Sequence, residues 1–203
     1  MGYILAIVMG YLLGCSNLAY YISRTEKKDI RQSGSGNLGA SNATILFGWK
    51  AGVAVAVHDA GKALLAVLLA KMFFPGLEHA GAVAGVAAVL GHIFPFYLKF
   101  KGGKGTASFI GMTLALNWKL ALVLAVVAFI LTVLTDYIVT ATVTTVTVVP
   151  VYMGIASADW ILALIVALGT VVILWKHREN FWRILNHTEA GLRAAIRGEQ
   201  RIK

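Results

Sequence analysis

Long apolar runs alternate with short polar segments along the whole chain. The apolar runs cover residues 3–22, 47–73, 80–98, 106–135, 137–156 and 159–175. A helix needs about 20 apolar residues to cross the hydrocarbon core of a bilayer, and the runs meet or approach that length. The pattern predicts an all-α, polytopic integral membrane protein. The first run does not follow a basic segment, so we interpret it as a retained helix and not as a signal peptide.

The fourth run is too long for one ordinary span. It is either one long tilted helix or two short helices separated at Asn117, Trp118 and Lys119, a triplet typical of a membrane interface. With two helices the chain has seven transmembrane helices, and fourteen of its 18 Lys and Arg residues lie on one side. The positive-inside rule favours this arrangement, with the N-terminus outside and the C-terminus in the cytoplasm.

Composition supports a membrane protein and argues against a nucleic-acid-binding one. Hydrophobic residues make up 59% of the chain and charged residues 13%, so a soluble domain of this size could not bury the apolar surface. The formal net charge is +9, but the basic residues gather beside apolar spans, where lipid headgroups and phosphorylated substrates meet them. Cys15 is the single cysteine, which excludes an intramolecular disulfide. We expect residues 1–203 to form one membrane domain.

Three segments on the predicted cytoplasmic side carry the candidate chemistry. The first, which we call the glycine loop, is Ser-Gly-Ser-Gly-Asn-Leu-Gly-Ala-Ser-Asn at residues 33–42. Its glycines let a ligand approach the backbone, and N–H groups near a helix start form a cradle for phosphate. A flexible linker is the alternative. The loop lacks the Gly-Lys-Ser/Thr ending of a Walker A motif, so nucleotide hydrolysis is not indicated.

The second segment, the lysine loop, is Lys-Phe-Lys-Gly-Gly-Lys-Gly-Thr-Ala-Ser at residues 99–108. Lysines supply positive charge for a phosphate, and Thr106 and Ser108 can form hydrogen bonds at the start of the following helix. The alternative is a basic loop that only sets the membrane topology, but such a loop would not need three glycines.

The third segment, the His/Asn segment, covers residues 177–183 after the last apolar run. If it is helical, His177 and Asn180 lie on one face and can reach the same substrate. An ordinary basic cluster at the membrane surface is the alternative. From His177 onward, about 25 residues mix apolar and basic positions, which predicts an amphipathic interfacial helix.

Several charged or polar residues lie within the apolar runs. Asp59 and Lys62 are three positions apart beside His58, and charges at that depth are costly unless they are paired or face a polar cavity. We interpret the pair as shaping the site, with direct substrate contact as the alternative. We interpret His92 as structural and expect Pro95 to bend the chain toward the lysine loop.

The sequence excludes several enzyme classes. It contains no Cys/His metal-site spacing, no His-Glu-x-x-His and no Gly-x-Ser-x-Gly. It also has no His followed five positions later by Asp, which is the signature of the commoner phospholipid acyltransferases. The remaining chemistry depends on binding and positioning phosphate.

Together, the three segments resemble the signatures of the bacterial membrane glycerol-3-phosphate acyltransferases that use acyl phosphate as donor. The matching stretches are residues 34–42 (GSGNLGASN), 91–108 (GHIFPFYLKFKGGKGTAS) and 177–189 (HRENFWRILNHTE). The resemblance covers essentially the whole chain. It implies a monomeric seven-helix enzyme of the bacterial inner membrane, with its active site on the cytoplasmic side and with no metal or other cofactor.

A few residues depart from the pattern of that family. Ser41 and Ser108 stand where Thr is commoner, and each retains a hydroxyl. His187 occupies a position that is usually Gly, and Thr142 stands in place of a serine. Asp136 replaces an arginine, so a substrate role of that arginine is not carried over to this chain.

The implied reaction is attack of the 1-hydroxyl of glycerol 3-phosphate on the carbonyl of acyl phosphate, giving lysophosphatidic acid and inorganic phosphate. The donor is a mixed anhydride with a good leaving group, so catalysis needs mainly orientation and charge stabilisation. We expect Ser35, Lys104, His177 and Asn180 to be catalytic, with His177 or the donor phosphate as the base. The expected substrate-binding residues are Gly34, Gly36, Asn37, Gly39, Ala40, Ser41, Asn42, Gly102, Gly103, Thr106, Ser108, Thr142 and Arg183.

Two other functions use the same residues. A small transporter of an anionic metabolite would capture phosphate with the basic loops, and a structural membrane subunit would have no activity. The polar residues concentrate on one predicted face and do not line a path through the membrane, which disfavours transport.

For the acyltransferase, the small residues Gly81, Ala82, Gly85 and Ala88 predict either close helix packing or a groove for the acyl chain.

Overall fold

The structure is a computed structural model and describes residues 1–189, 191 and 193. These residues form α-helices, two short 3-10 turns (Ile30–Gln32 and Phe96–Leu98) and loops, which confirms the all-α prediction. The helices are α1 (Gly2–Cys15), α2 (Leu18–Thr25), α3 (Ala40–Phe47), α4 (Trp49–Phe73), α5 (Ala80–Ile93), α6 (Thr106–Leu116), α7 (Trp118–Thr135), α8 (Ile138–Ser157), α9 (Trp160–Lys176) and α10 (Arg178–Leu185). The chain divides into two compact units, Met1–Trp118 and Lys119–Lys203.

Five segments of the described chain are long and apolar enough to cross a bilayer. They are Gly2–Thr25, Trp49–Phe73, Ala80–Leu98, Trp118–Thr135 and Ile138–Ser157. The pair α9 and α10, bent by 46°, makes a sixth candidate. The predicted break at Asn117 is present, but α6 has only 11 residues and is about 16 Å long, shorter than a bilayer core of about 30 Å. The described residues therefore support five or six spans, and the seventh stays a prediction.

The first span is interrupted between α1 and α2 in a way that the apolar run did not predict. The Asn17 side chain caps α2 because its Oδ1 accepts a hydrogen bond from the Tyr20 N–H at 2.9 Å. Its Nδ2 donates to the carbonyl oxygen of Leu38 at 3.3 Å. The Asn17 side chain therefore links the break in the first span to the glycine loop.

Within the first unit, α1 and α5 pack backbone against backbone. A Cβ atom added at Gly10 would overlap the backbone of Ala84, and one added at Gly14 would overlap that of Ala88. Gly10 and Gly14 form a Gly-x-x-x-Gly pair, the spacing that lets helices approach closely in a membrane. At Gly85 an added Cβ would overlap side chains of α4 and α6. The small residues of α5 thus pack closely, which is the first of their two predicted alternatives.

The short helix α6 is held at both its middle and its end by α4. A Cβ atom at Gly111 would overlap the backbone of Ala60, so the two helices touch there. Near its C-terminus, the Ala115 carbonyl oxygen accepts a hydrogen bond from Lys71 Nζ at 3.0 Å. Because the last carbonyls of a helix have no intrahelical partner, Lys71 satisfies one of them.

The second unit consists of α7 to α10. The Thr170 hydroxyl donates to the Val146 carbonyl oxygen at 2.7 Å, which joins α9 to α8. Asp159 caps α9 by accepting a hydrogen bond from the Leu162 N–H at 2.9 Å. The turn between α7 and α8 contains Asp136 in the left-handed region, with φ of 67°. Asp tolerates that conformation better than most residues, so Asp136 is suited to this turn.

The amphipathic helix predicted from His177 is present but is much shorter than about 25 residues. It is α10, which has eight residues and ends at Leu185. The His187 N–H then donates to Ile184 and the Thr188 N–H to Arg183, at 3.0 and 2.8 Å, and His187 has φ of 55°. This is a Schellman turn, which satisfies the last helical carbonyls and reverses the chain. Residues 190, 192 and 194–203 of the predicted helix lie outside the described residues.

Candidate functional site

The glycine loop is built around the side chain of Asn42. Its Nδ2 donates to the carbonyl oxygens of Ile30, Ser33 and Asn37 at 3.0, 3.1 and 3.0 Å. Its Oδ1 accepts from the Ser35 N–H at 2.9 Å, and Asn42 is fully buried. The Asn42 side chain therefore organises the loop, and only the backbone N–H of this residue remains as a candidate ligand contact.

The backbone of this loop requires glycine at two positions. Gly34 and Gly36 have φ of 60° and 68°, a region that other residues rarely adopt. A Cβ at Gly34 would also overlap the Asn42 Oδ1. Just before the loop, the side-chain hydrogen bond from Arg31 to Asp29, at 3.0 Å, lowers the pKa of the Asp29 carboxyl below its usual value.

The N-terminus of α3 faces the glycine loop. Gly39 directly precedes the helix. In the first hydrogen bond of the helix, the Ala43 N–H donates to the Gly39 carbonyl oxygen at 3.1 Å. The N–H groups of the first three helical residues consequently have no intrahelical acceptor, and such a helix start attracts anions. Around it, Gly34, Ser35, Gly36 and Ser41 are exposed, and Asn37, Gly39 and Ala40 are half-buried.

The lysine loop folds back onto the end of α5. The N–H groups of Gly102 and Gly103 donate to the carbonyl oxygens of Ile93 and His92 at 3.0 and 3.1 Å. An added Cβ would overlap the His92 carbonyl at Gly102 and the His92 ring at Gly103, so both positions need glycine. Pro95 begins the reversal, as predicted, and its carbonyl oxygen accepts from the Phe100 N–H at 3.1 Å.

The lysine loop ends where α6 begins. Gly105 has φ of 94° and precedes Thr106, the first residue of the helix. Lys104 and Thr106 are half-buried. Ser108 is fully buried, and its hydroxyl has no hydrogen-bond partner within the described part of the chain. A buried unpaired hydroxyl costs about 1–3 kcal/mol, so this position favours a polar atom of a ligand or water.

The glycine and lysine loops share one apolar cluster in the first unit. Leu38 from the glycine loop and Leu98, just before the lysine loop, both belong to it, together with Ile30, Ala43 and Val55. All five side chains are almost fully buried. The structure therefore brings two of the three predicted segments into one neighbourhood.

The third predicted segment lies in the second unit, at the bend between α9 and α10. His177 and Asn180 are both buried, with 6% and 8% of their surface exposed, and the Asn180 N–H donates to the His177 carbonyl oxygen at 2.9 Å. His177 Nδ1 lies 2.8 Å from the Ile173 carbonyl oxygen. Because a carbonyl oxygen only accepts, Nδ1 carries the proton, and Nε2 of the neutral ring is an acceptor.

Glu189 was not predicted from the sequence, but it contacts two of the predicted site residues. One of its carboxylate oxygens accepts from Asn180 Nδ2 at 2.6 Å, and the other pairs with Arg183 Nε at 2.6 Å. It reaches both residues because the chain reverses at His187. The signal in the sequence was His187, where the resemblance implies a glycine, the residue typical of a left-handed turn. The last predicted residue, Thr142, is buried in α8, and its hydroxyl lies 3.4 Å from the Ile138 carbonyl oxygen.

A buried polar cluster lies beneath the lysine loop. Lys62 Nζ donates to Asp59 Oδ1 at 2.9 Å, which confirms the predicted pairing. It also lies 2.9 Å from His92 Nδ1 and 2.6 Å from the Ser16 carbonyl oxygen. His58 Nδ1 contacts Asp59 Oδ1 at 3.4 Å. His92, which we interpreted from the sequence as a separate structural residue, is part of this cluster.

Two solved structures are similar to the whole chain. The crystal structure of PlsY (YgiH), an integral membrane glycerol 3-phosphate acyltransferase, in its glycerol 3-phosphate form has a TM-score of 0.88 and 29% identity, over 95% of this chain and 96% of that one. Its lysophosphatidic acid form has a TM-score of 0.85 and 29% identity, over 94% and 95%.

Sequence comparison gives the same assignment. Residues 4–187 match the family described as glycerol-3-phosphate acyltransferase. A glycerol-3-phosphate acyltransferase of Mesorhizobium japonicum is 39% identical over 196 residues, which cover 95% of this chain and 97% of the relative. One of Coxiella burnetii is 36% identical over 192 residues, with coverage of 93% and 97%. The predicted resemblance is confirmed, and the chain belongs to the glycerol-3-phosphate acyltransferase family.

Proposed function

We propose that this acyltransferase moves a fatty acyl group from acyl phosphate to the 1-hydroxyl of glycerol 3-phosphate, forming lysophosphatidic acid and inorganic phosphate. The observation that carries the proposal is the presence of two helix starts, those of α3 and α6, that follow glycine-rich loops in one unit. Both substrates carry a phosphate, and each helix start offers backbone N–H groups to one anion.

The two loops differ in what they offer an anion. The glycine loop offers the N–H groups of Ala40, Ser41 and Asn42 and the exposed Ser35 side chain, with Asn37 nearby. The lysine loop adds the positive charge of Lys104, which neutralises a phosphate as a point charge. The Thr106 and Ser108 hydroxyls would complete that side, and the unpaired Ser108 hydroxyl supports a polar ligand there. Gly102 and Gly103 would let the phosphate approach the backbone of the loop closely.

The chemical step follows from the properties of the donor. Acyl phosphate has a good leaving group, so the enzyme needs to align the acceptor hydroxyl with the carbonyl and to stabilise the developing oxyanion. With Nδ1 donating to the Ile173 carbonyl oxygen, Nε2 of His177 would take the proton of the acceptor hydroxyl as general base. In the alternative, His177 would only form a hydrogen bond with that hydroxyl, and a phosphate oxygen of the donor would take the proton. Asn180, Arg183 and Thr142 would orient the substrates from the second unit.

The same proposal includes a membrane topology. It has seven spans, with α6 as a short one, the N-terminus outside, and a cytoplasmic active site in the bacterial inner membrane. The enzyme would be a monomer with a single membrane domain and would need no metal or other cofactor. The distribution of Lys and Arg supports this topology, because it places the basic loops and the tail on one side.

The decisive assay uses purified full-length protein with acyl phosphate and glycerol 3-phosphate and measures phosphate release together with lysophosphatidic acid. We expect both products in equal amounts. Glycerol in place of glycerol 3-phosphate tests the acceptor, and acyl-coenzyme A tests the donor. Acylation from acyl-coenzyme A but not from acyl phosphate would refute the proposed donor, and movement of glycerol 3-phosphate across vesicles without acylation would indicate a transporter.

A further inference from the structure

We propose that Lys62, Asp59 and His92, which we call the Lys62 cluster, position the lysine loop for binding the phosphate of a substrate. This inference rests on the proposed function and assigns these three residues to positioning, without contact to the reacting atoms. The cluster joins α4, which carries Lys62 and Asp59, to His92 at the end of α5.

Lys62 fixes the orientation of the His92 ring. Its ammonium group has three N–H donors and no acceptor. The structure gives it three acceptors, the Ser16 carbonyl oxygen at 2.6 Å, Asp59 Oδ1 at 2.9 Å and His92 Nδ1 at 2.9 Å. Each donor therefore has a partner within hydrogen-bond distance. His92 Nδ1 also lies 3.3 Å from Asp59 Oδ1, so both members of the ion pair contact this ring nitrogen. The other ring nitrogen, Nε2, lies on the side of the lysine loop.

His92 in turn contacts the lysine loop in two ways. Its carbonyl oxygen accepts the hydrogen bond of the Gly103 N–H at 3.1 Å. Its ring lies against the Cα of Gly103, where a Cβ would overlap Nε2. Gly103 directly precedes Lys104, and α6 begins at Thr106. A change in the His92 position would therefore move both Lys104 and the N–H groups at the start of α6.

Stability alone is a weak explanation for this cluster. Asp59 and His92 are almost fully buried in apolar helices, and Lys62 is 7% exposed. A buried ion pair often contributes less to stability than well-packed apolar side chains would, because both charges lose their hydration. The pair is instead placed where it holds a loop that is predicted to bind phosphate. A positioning role accounts for both its cost and its location.

The main test is the double variant Asp59→Asn/Lys62→Met, because it removes both charges and leaves no unpaired charge buried. We expect KM for the substrate bound at the lysine loop to rise at least tenfold, while KM for the other substrate stays within threefold of wild type. The matched control is Lys71→Met in the same helix, whose Nζ bonds to Ala115 and not to the cluster. We expect both of its KM values to equal those of wild type.

A second variant guards against a double variant that does not fold. His92→Asn leaves a side-chain oxygen that can accept from Lys62 but removes the ring edge beneath Gly103. We expect the same selective rise in KM. A shift of the thermal unfolding midpoint with increasing glycerol 3-phosphate provides a readout that does not depend on turnover.

The outcomes separate the cluster from the proposed function. Wild-type protein without turnover of acyl phosphate and glycerol 3-phosphate would contradict the proposed function, and the positioning role with it. If the wild type is active, unchanged KM values in the folded variants would overturn the positioning role alone. A loss of kcat with both KM values unchanged would also overturn it, because a merely structural role lowers only the amount of active enzyme.

Discussion

At the scale of single residues, the side chains with several hydrogen bonds hold loops and other side chains in place, whether or not the sequence marked them as chemical. Asn42 was predicted to contact substrate, but its side chain has three acceptors and one donor in the glycine loop and the turn before it. Glu189 was not predicted, yet it holds Asn180 and Arg183. A motif identifies which residue types occur together, but it does not show which of them face one another.

Replacing Asn42 by Ala should disrupt the glycine loop. The variant leaves the carbonyl oxygens of Ile30 and Ser33 without their partner, at a cost of about 1–3 kcal/mol for each buried group left unpaired. We expect kcat/KM to fall by roughly tenfold to a hundredfold, measured by phosphate release. The control is Thr44→Ala in the same helix, whose exposed hydroxyl donates to the Ala40 carbonyl oxygen of its own turn. A kcat/KM equal to that of wild type in Asn42→Ala would contradict the conclusion that the Asn42 side chain organises the glycine loop.

The hydrogen bond between His177 Nδ1 and the Ile173 carbonyl oxygen leads to a second prediction. In His177→Asn the side-chain amide can still donate to Ile173, but no acceptor remains at the place of Nε2. In His177→Gln the amide oxygen can reach that place and accept a hydrogen bond, although it is not a base. If Nε2 removes the proton, we expect kcat to fall by about 10²- to 10⁴-fold in both variants. Substantial turnover in His177→Gln would assign His177 to hydrogen bonding, with the donor phosphate as the base.

At the scale of helices, the sequence predicted the breaks that contain polar clusters and missed those that depend on capping. The break at Asn117 was predicted because Asn, Trp and Lys stand together. The break before α2 was missed because Ser16 and Asn17 barely change the mean hydropathy of a 20-residue run. The end of α10 at Leu185 was missed because the helical pattern continues while the backbone turns at His187. Hydropathy reports composition, whereas caps depend on individual hydrogen bonds.

His187→Gly should stabilise the protein. His187 has φ of 55°, and a side chain in the left-handed region costs about 1 kcal/mol relative to glycine. We expect the thermal unfolding midpoint of purified protein to rise by about 2–4 °C. The neighbouring Asn186→Gly is the control because Asn186 has φ of −95° and gains no relief. An equal or lower midpoint for His187→Gly would show that the turn is not strained.

Gly14→Val tests the contact between α1 and α5. The new side chain would overlap the backbone of Ala88, so the helices must separate, at a cost of about 1–3 kcal/mol. We expect a lower thermal unfolding midpoint and faster proteolysis. Gly61→Val in α4 is the matched control because nothing lies within 4 Å of the position of its Cβ. Equal midpoints for the two variants would contradict a close contact at Gly14.

At the scale of the whole molecule, the sequence predicted the family and the membrane class, whereas the three segments of the site stay a prediction. The residues that support those segments, such as Asn17 under the glycine loop and His92 under the lysine loop, come from distant helices. Their contacts depend on how the helices pack, and no local pattern encodes them. Span number is a similar case, because α6 is apolar throughout but has only 11 residues.

The seven-span topology can be tested because Cys15 is the single cysteine and is buried. In a Cys15→Ala background, single cysteines replace three exposed residues, Lys101, Ser157 or Thr188. If α6 crosses the membrane, a membrane-impermeant maleimide should label Lys101→Cys and Thr188→Cys only from the cytoplasmic side, and Ser157→Cys only from outside. If α6 does not cross the membrane, each helix after it crosses in the opposite direction. Labelling of Lys101→Cys and Ser157→Cys from the same side would therefore contradict seven spans and would place the His/Asn segment across the membrane from the lysine loop.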